Sequence, residues 1–390
     1  IFLNVYGIIM VYSASYNNSI TKNYSYFMNN QLKNVIFGFV IMIVASYVNY
    51  HRIVRLGWGW FWLLAAVAII AALKTPLAHS ELGATRWIKL GPVSFQAAEP
   101  IKAAIIIFFA YYVSYWGLNR WYNQLLACLL AIALLGFLFF FSNNLSTVIV
   151  LFCICAVIIL SSVKKPDLYV YFLLGLALII IAAIFVTVYL LMHQGAENFR
   201  FVRIRAWLHP EEYAADEGLQ AMQARYAIGA GGFWGKGLGQ SLIKFKLSYS
   251  YNDFILAIIC EELGVFGVIV MMTLFGYLLY RIYKIAQNAW DIEGKVLAIG
   301  VFTQIALQLL INVMVVTSVI PTTGVTLPFF SAGGTSVVFL LAELRVANAE
   351  SRLAAYHAGH ALELVLFGVG RVVGGNGVHD AGADAVHQRL

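Results

Sequence analysis

"NDFILAIICEELGVFG", residues 252–267, enters a long apolar run, yet it carries Asp253 at its edge and Glu261 and Glu262 in its middle. Ionisable groups inside a membrane span are costly, and they either pair with one another or mark function. The reading of this stretch as a membrane helix rests on the rest of the chain. At 62% hydrophobic, 11% charged and a mean hydropathy of +0.82, the sequence is far more apolar than a soluble domain, which carries about 25% charged residues. Its apolar residues fall in long runs separated by short polar breaks, the pattern of a polytopic α-helical membrane protein rather than a membrane barrel.

Ten spans are expected, at about 1–15, 34–50, 56–73, 100–117, 124–142, 145–162, 168–192, 253–280, 296–317 and 334–348. Together they make one all-α membrane domain over 1–345, with a long loop at 193–252 before the eighth span. Short loops holding most of the Lys and Arg, "HRIVR" (51–55), "NR" (119–120), "VKKPD" (163–167) and "RIYKIAQNAWDIEGK" (281–295), are read as cytoplasmic. Both termini then lie inside, including an Ala/Gly/Val-rich tail at 346–390. The chain begins with Ile1 inside an apolar run, so its natural start is expected upstream. Cys128, Cys153, Cys155 and Cys260 all sit in apolar runs and read as small buried hydrophobes.

The opposite, outer side gathers the chemistry. Segment 193–252 is long for a plain connection, and it holds Arg200, Arg203, Arg205, Arg225, Lys236, Lys244 and Lys246. Such a cluster suits an anionic ligand, most naturally a phosphate or diphosphate. The competing reading pairs these cations with Glu197, Glu211, Glu212, Asp216 and Glu217, or sets them against lipid headgroups. The glycine-dense "AIGAGGFWGKGLGQS" (227–241) fails both nucleotide fingerprints, with Trp234 where a dinucleotide loop needs glycine and Gly237 where a P-loop needs Ser or Thr. Tight turns and close backbone approach remain as its purpose, and no nucleic-acid partner is expected. A second outer stretch, "GATRWIKLGPVSFQAAEPIK" (83–102), places Arg86 and Trp87 before a Gly-Pro turn. Glu99, Pro100 and Lys102 follow at a helix start, where the dipole favours a carboxylate. A third, "PTTGVTLPFFSAGGTS" (321–336), contains Ser331 and reads as irregular backbone lining a cavity.

These four motifs, in this order and spacing, resemble the FtsW/RodA (SEDS) family, slightly closer to its division branch. The resemblance covers residues 1 to about 345. It implies a glycosyltransferase that polymerises lipid II into glycan strands on the outer face of the bacterial cytoplasmic membrane. It also implies a class B penicillin-binding protein as partner, other divisome or elongasome membrane proteins, and a divalent cation, magnesium or manganese. The family's essential acid matches Asp253, and its early-loop tryptophan, glutamate and lysine match Trp87, Glu99 and Lys102.

An acid at the membrane boundary beside a cationic loop suits a general base, and Asp253 is equally open to holding the metal. Arg86, Lys102, Lys236 and Lys244 are candidates to neutralise the departing undecaprenyl diphosphate. Glu261 and Glu262 lie about 12 Å deeper along the helix and read as structural, with Gln304, Gln308 or Asn312 as partners. The chain departs from the family at Ser248 and Tyr249, where Pro-Glu is usual, and at Ala97 and Ala98, where Pro-Ser is usual. It departs again at Asn143-Asn144-Leu145-Ser146-Thr147, where Pro-Asp-Leu-Gly-Thr is usual. A precursor flippase or a division scaffold with weakened catalysis are the alternative functions.

Overall fold

The computed structural model describes residues 1–347 apart from 16–25, 49, 56–58, 77, 82–83, 91–92, 143, 164–198, 214–217 and 246–250. Helices dominate: α1 (Phe2–Ser15), α2 (Tyr26–Ala45), α3 (Tyr50–Arg55), α4 (Gly59–Ala72), α5 (Ala98–Trp116), α6 (Trp121–Ser142) and α7 (Leu145–Ser162). Then follow α8 (Phe199–Leu208), α9 (Leu219–Gly231), α10 (Ile255–Gln287) and α11 (Ile292–Val316). Residues 334–347 form the last described helix, α12. Helices match nine of the ten expected spans, and the tenth, 168–192, lies outside the described residues. The two largest boundary shifts are at α2 and α10. α2 begins at Tyr26 rather than 34, and α10 extends to Gln287.

Five described helices are long and apolar enough to cross a membrane. α6 shows why sequence periodicity is faint in such helices. Its inner face buries Ala127, Ala131, Leu134, Leu135 and Leu138, while Leu125, Leu129, Ile132 and Phe140 stand exposed on the other. Both faces are apolar because lipid, not water, meets the outer one.

One correction concerns the early outer stretch, which the sequence reading treats as loop and helix start. It folds into a three-stranded antiparallel sheet, β1 (Ala78–Glu81), β2 (Ala84–Leu90) and β3 (Val93–Gln96), in sequential order. Trp87 lies opposite His79 on one side and Gln96 on the other, and Ile88 opposite Phe95. Ile88 is buried in the core, and the amide of Gln96 donates to Thr335 Oγ1 at 3.3 Å, which ties the sheet to the start of α12.

Two apolar cores organise the bundle. One joins α3 to α7, and the other joins α1, α9, α10, α12 and the loop around Leu327–Phe330. α11 contributes to both, with Val296 and Leu297 in the first and Ile305 and Leu309 in the second. Polar side chains collect along this shared helix.

Candidate functional site

At the N-terminal end of α5, Glu99 and Lys102 are 1% and 2% exposed, and their side chains pair at 2.9 Å. They stand one turn apart, so the helix itself sets the pair. They line a cleft of about 370 Å³ together with Gln96, Asn144, Ser146, Thr147, Gln308 and Gly324–Thr326. An adjoining space of about 240 Å³ shares Gln96, Asn144 and Thr147 and runs toward Leu73 and Leu138. Asn144 caps α7 by accepting from the Thr147 amide at 3.4 Å. The position where the resemblance leads one to expect an acid is therefore in the wall of this cleft. Glu99 Oε2 and Gln308 Oε1 are buried and have no hydrogen-bond partner among the described residues. Buried oxygens of that kind are costly, and both could accept from a donor or hold a cation.

Asp253 sits in the turn immediately before α10, beside the positive end of that helix. Asn312 fixes this turn by donating from Nδ2 to the Asp253 carbonyl at 2.8 Å and to the Val325 carbonyl at 2.9 Å. Val325 lines the cleft, so one side chain joins the Asp253 turn to the cleft wall. Ser331 makes a second tie, donating to the Asn252 carbonyl at 2.7 Å and accepting from the Leu327 amide at 2.7 Å. It is 4% exposed. Its hydroxyl thus holds two loops together rather than facing the cleft.

Glu261 and Glu262 are fully buried and paired, though not with the expected α11 amides. Glu261 accepts from Lys236 Nζ at 2.8 Å, from Ser241 Oγ, and from the amides of Leu242 and Ile243 at 3.2 and 3.3 Å. Glu262 accepts from Ser13 Oγ at 2.7 and 2.5 Å and from the Ser241 amide at 3.3 Å, and Lys244 Nζ stands 3.6 Å away. The expected partners lie elsewhere. Gln304 donates to Glu343 Oε2 at 2.8 Å, Gln308 faces the cleft and Asn312 serves the Asp253 turn. Lys236 and Lys244 thus have acids beside their cationic ends and are not among the residues lining the cleft with Lys102.

The glycine-dense segment explains this arrangement. α10 breaks at Gly264, which takes φ 63°, ψ −163°. Loop 231–237 enters the break. The amides of Lys236 and Gly237 donate to the Glu261 and Glu262 carbonyls at 2.9 Å each. Those of Val265 and Phe266 donate in return to the Gly232 and Phe233 carbonyls at 3.1 and 3.2 Å. Backbone groups freed by a break at membrane depth must find partners inside the protein, and the loop supplies them. A Cβ on Gly235 would lie 2.2 Å from the Glu262 carbonyl oxygen, so only glycine permits this approach.

Trp87 is half-buried in β2, paired with the cleft residue Gln96. Arg86 belongs to the same strand, but its side chain is outside the described residues, as are Tyr249, Ser248, Lys246 and the tail beyond 347. The sequence reading named Gln308 only as a partner for the deep acids, not as a cleft residue, and did not single out Glu343. A signal for a shared polar face was present, since Gln304, Gln308 and Asn312 recur every four residues in an apolar helix.

Comparison with known proteins identifies the family. The FtsW/RodA/SpoVE model, described as cell cycle protein, matches residues 1–352. A probable peptidoglycan glycosyltransferase FtsW of Geobacter sp. (strain M18) is 31% identical over 355 residues, covering 89% of this chain and 93% of the relative. Stage V sporulation protein E of Bacillus subtilis (strain 168) is 33% identical over 365 residues, covering 90% and 94%. Among solved structures, the rod shape determining protein RodA of Thermus thermophilus superposes with a TM-score of 0.63 at 21% identity, covering 90% of this chain and 93% of that one. A chain from a structure described as "structural coordination of polymerization and crosslinking by a peptidoglycan synthase complex" reaches 0.73 at 21% identity, covering 90% and 96%. These likenesses confirm the polytopic helical fold. The protein is an integral membrane member of the FtsW/RodA/SpoVE (SEDS) family.

Proposed function

We propose that this chain is a peptidoglycan glycosyltransferase that polymerises lipid II on the outer face of the bacterial cytoplasmic membrane, with both termini cytoplasmic. One observation carries the reading: the Asp253 turn and the cleft holding Glu99 and Lys102 occur at the same end of the bundle, joined through Asn312. Asp253 acts as general base on the 4-hydroxyl of the acceptor sugar. That oxygen forms a bond to the anomeric carbon of the donor, the bond from that carbon to the diphosphate oxygen breaks, and its electron pair leaves with undecaprenyl diphosphate. Lys102 and Arg86 supply positive charge on the diphosphate side, and Trp87 and Ser331 shape the surroundings. Lys236 and Lys244 act through the loop they anchor.

A magnesium- or manganese-class cation fits the oxygen-only set of Glu99 Oε2 and Gln308 Oε1, and Asp253 is a further carboxylate at that end. When bound, it supplies neutralising charge for the diphosphate. The working partner is a class B penicillin-binding protein, alongside other division or elongation membrane proteins.

The test is lipid II polymerisation by the purified, partnered protein. Asp253→Asn is expected to cut the glycan-chain yield by at least about 100-fold while the melting temperature holds. Equal yield from both proteins would remove Asp253 from the chemistry.

A further inference from the structure

The far end of the same two helices carries a second cluster. Ser114 lies about 18 Å along α5 from Lys102, and Glu293 about 22 Å along α11 from Gln308, at 1.5 Å per residue. There His51 Nδ1 stands 2.9 Å from Glu293 Oε2 and 3.4 Å from Asp291 Oδ2. One ligand atom from each of the three residues lies within 4.8 Å of the others.

The remaining carboxylate oxygens are already committed. Asp291 Oδ1 accepts from the Gly294 amide at 3.0 Å, capping α11, and from Tyr50 OH at 3.1 Å. Glu293 Oε1 accepts from Ser114 Oγ at 2.9 Å. Each acid therefore has one oxygen oriented by the protein and its second oxygen turned toward the same imidazole nitrogen. Outer hydrogen bonds that fix ligand orientation in this way are characteristic of metal sites. With metal–ligand bonds of about 2.1 Å, neighbouring ligand atoms sit about 3.0–3.4 Å apart between octahedral and tetrahedral angles. The two separations from His51 fall at or within about 0.1 Å of that range. The Glu293 side chain is 2% exposed and that of Asp291 14%, so the carboxylates are largely withdrawn from bulk water.

We propose that His51, Asp291 and Glu293 bind a divalent transition cation, one imidazole and two carboxylates favouring zinc or manganese over calcium. Its two positive charges match the two carboxylates. The ion ties α3 to the start of α11, and through Ser114 to the end of α5, clamping the two helices that carry the polar cleft at their other ends. The site is independent of the proposed transferase chemistry.

The test uses full-length protein in detergent, stripped with chelator and titrated with zinc chloride and, separately, manganese chloride. Calorimetry and metal analysis after desalting give the number of ions bound. The cleft is also a cation candidate, so the decisive quantity is the difference between wild type and His51→Gln. Wild type is expected to hold one ion more per chain, and Glu293→Gln to weaken that ion by more than about 10-fold, since even changes to residues that only orient a ligand cost about 10–100-fold. Zinc is expected to raise the melting temperature of wild type by more than that of His51→Gln. Wild type that retains no zinc or manganese at about 100 µM metal, far above ordinary site affinities, overturns the proposal whatever the variants do. Equal ion counts in wild type and His51→Gln also overturn it, leaving the cluster as a hydrogen-bonded ion pair.

Discussion

Glu261 shows how an acid is kept deep in an apolar helix. It has no exposed surface, and it receives two side-chain and two backbone donors from a segment about 20 residues earlier in the chain. Breaking a buried pair from the acid side strands several donors at once. Breaking it from the lysine side removes one of four, and Lys236 keeps its side chain 32% exposed. Glu261→Gln is therefore expected to cost about 2–4 kcal/mol, and Lys236→Met about 1 kcal/mol, read as melting temperatures in one detergent. The reverse order would mean that the lysine, not the backbone amides, holds this carboxylate. Sequence spacing alone put Glu261 and Glu262 deeper than Asp253 and made them structural, which the geometry bears out. It could not name their partners, because Ser13, Lys236 and Ser241 reach them only through tertiary folding.

At the scale of elements, the break in α10 and the loop that fills it form one unit. Gly235 and Gly239 separate its two demands. Both take positive φ, 77° and 81°, but an added Cβ meets the Glu262 backbone at the first and nothing within 4 Å at the second. Gly239→Ala is expected to cost only the conformational strain, about 1 kcal/mol. Gly235→Ala must push the loop out of the break and is expected to lower stability by more than about 3 kcal/mol, seen by thermal unfolding and by faster hydrogen exchange at Val265 and Phe266. Equal effects would show that the interlocking of loop and helix does not hold the break. This unit was half legible: the glycine density signalled close approach, but "EELGVFG" looks like continuous helix because Gly264 is bounded by apolar residues on both sides. The sheet was hidden for a related reason. β1 and β3 are four residues each, too short for alternation to stand out. Long apolar runs, by contrast, mark membrane helices directly, so nine spans were readable without knowledge of what they touch.

Across the whole molecule, the polar cleft lies where two apolar cores meet on α11. Lys102 is central to that seam. It is 2% exposed and pairs with Glu99 at 2.9 Å, while Glu343 on α12 is held by Gln304 on α11. These two contacts gather polar side chains from α5, α11 and α12 along the line where the cores meet. Removing it alone leaves the buried Glu99 without its counter-charge, a loss of about 3–5 kcal/mol, so Lys102→Met is expected to unfold at markedly lower temperature. Glu99→Gln in the same chain removes that stranded charge, and the double variant is expected to recover at least about 1–2 kcal/mol relative to the sum of the two single losses. Polymerisation is expected to stay lost in all three, because each variant removes a charged member of the cleft and breaks its pairing. Strict additivity of the two stability losses would place the cohesion of the seam in apolar packing and leave Glu99 and Lys102 to chemistry alone.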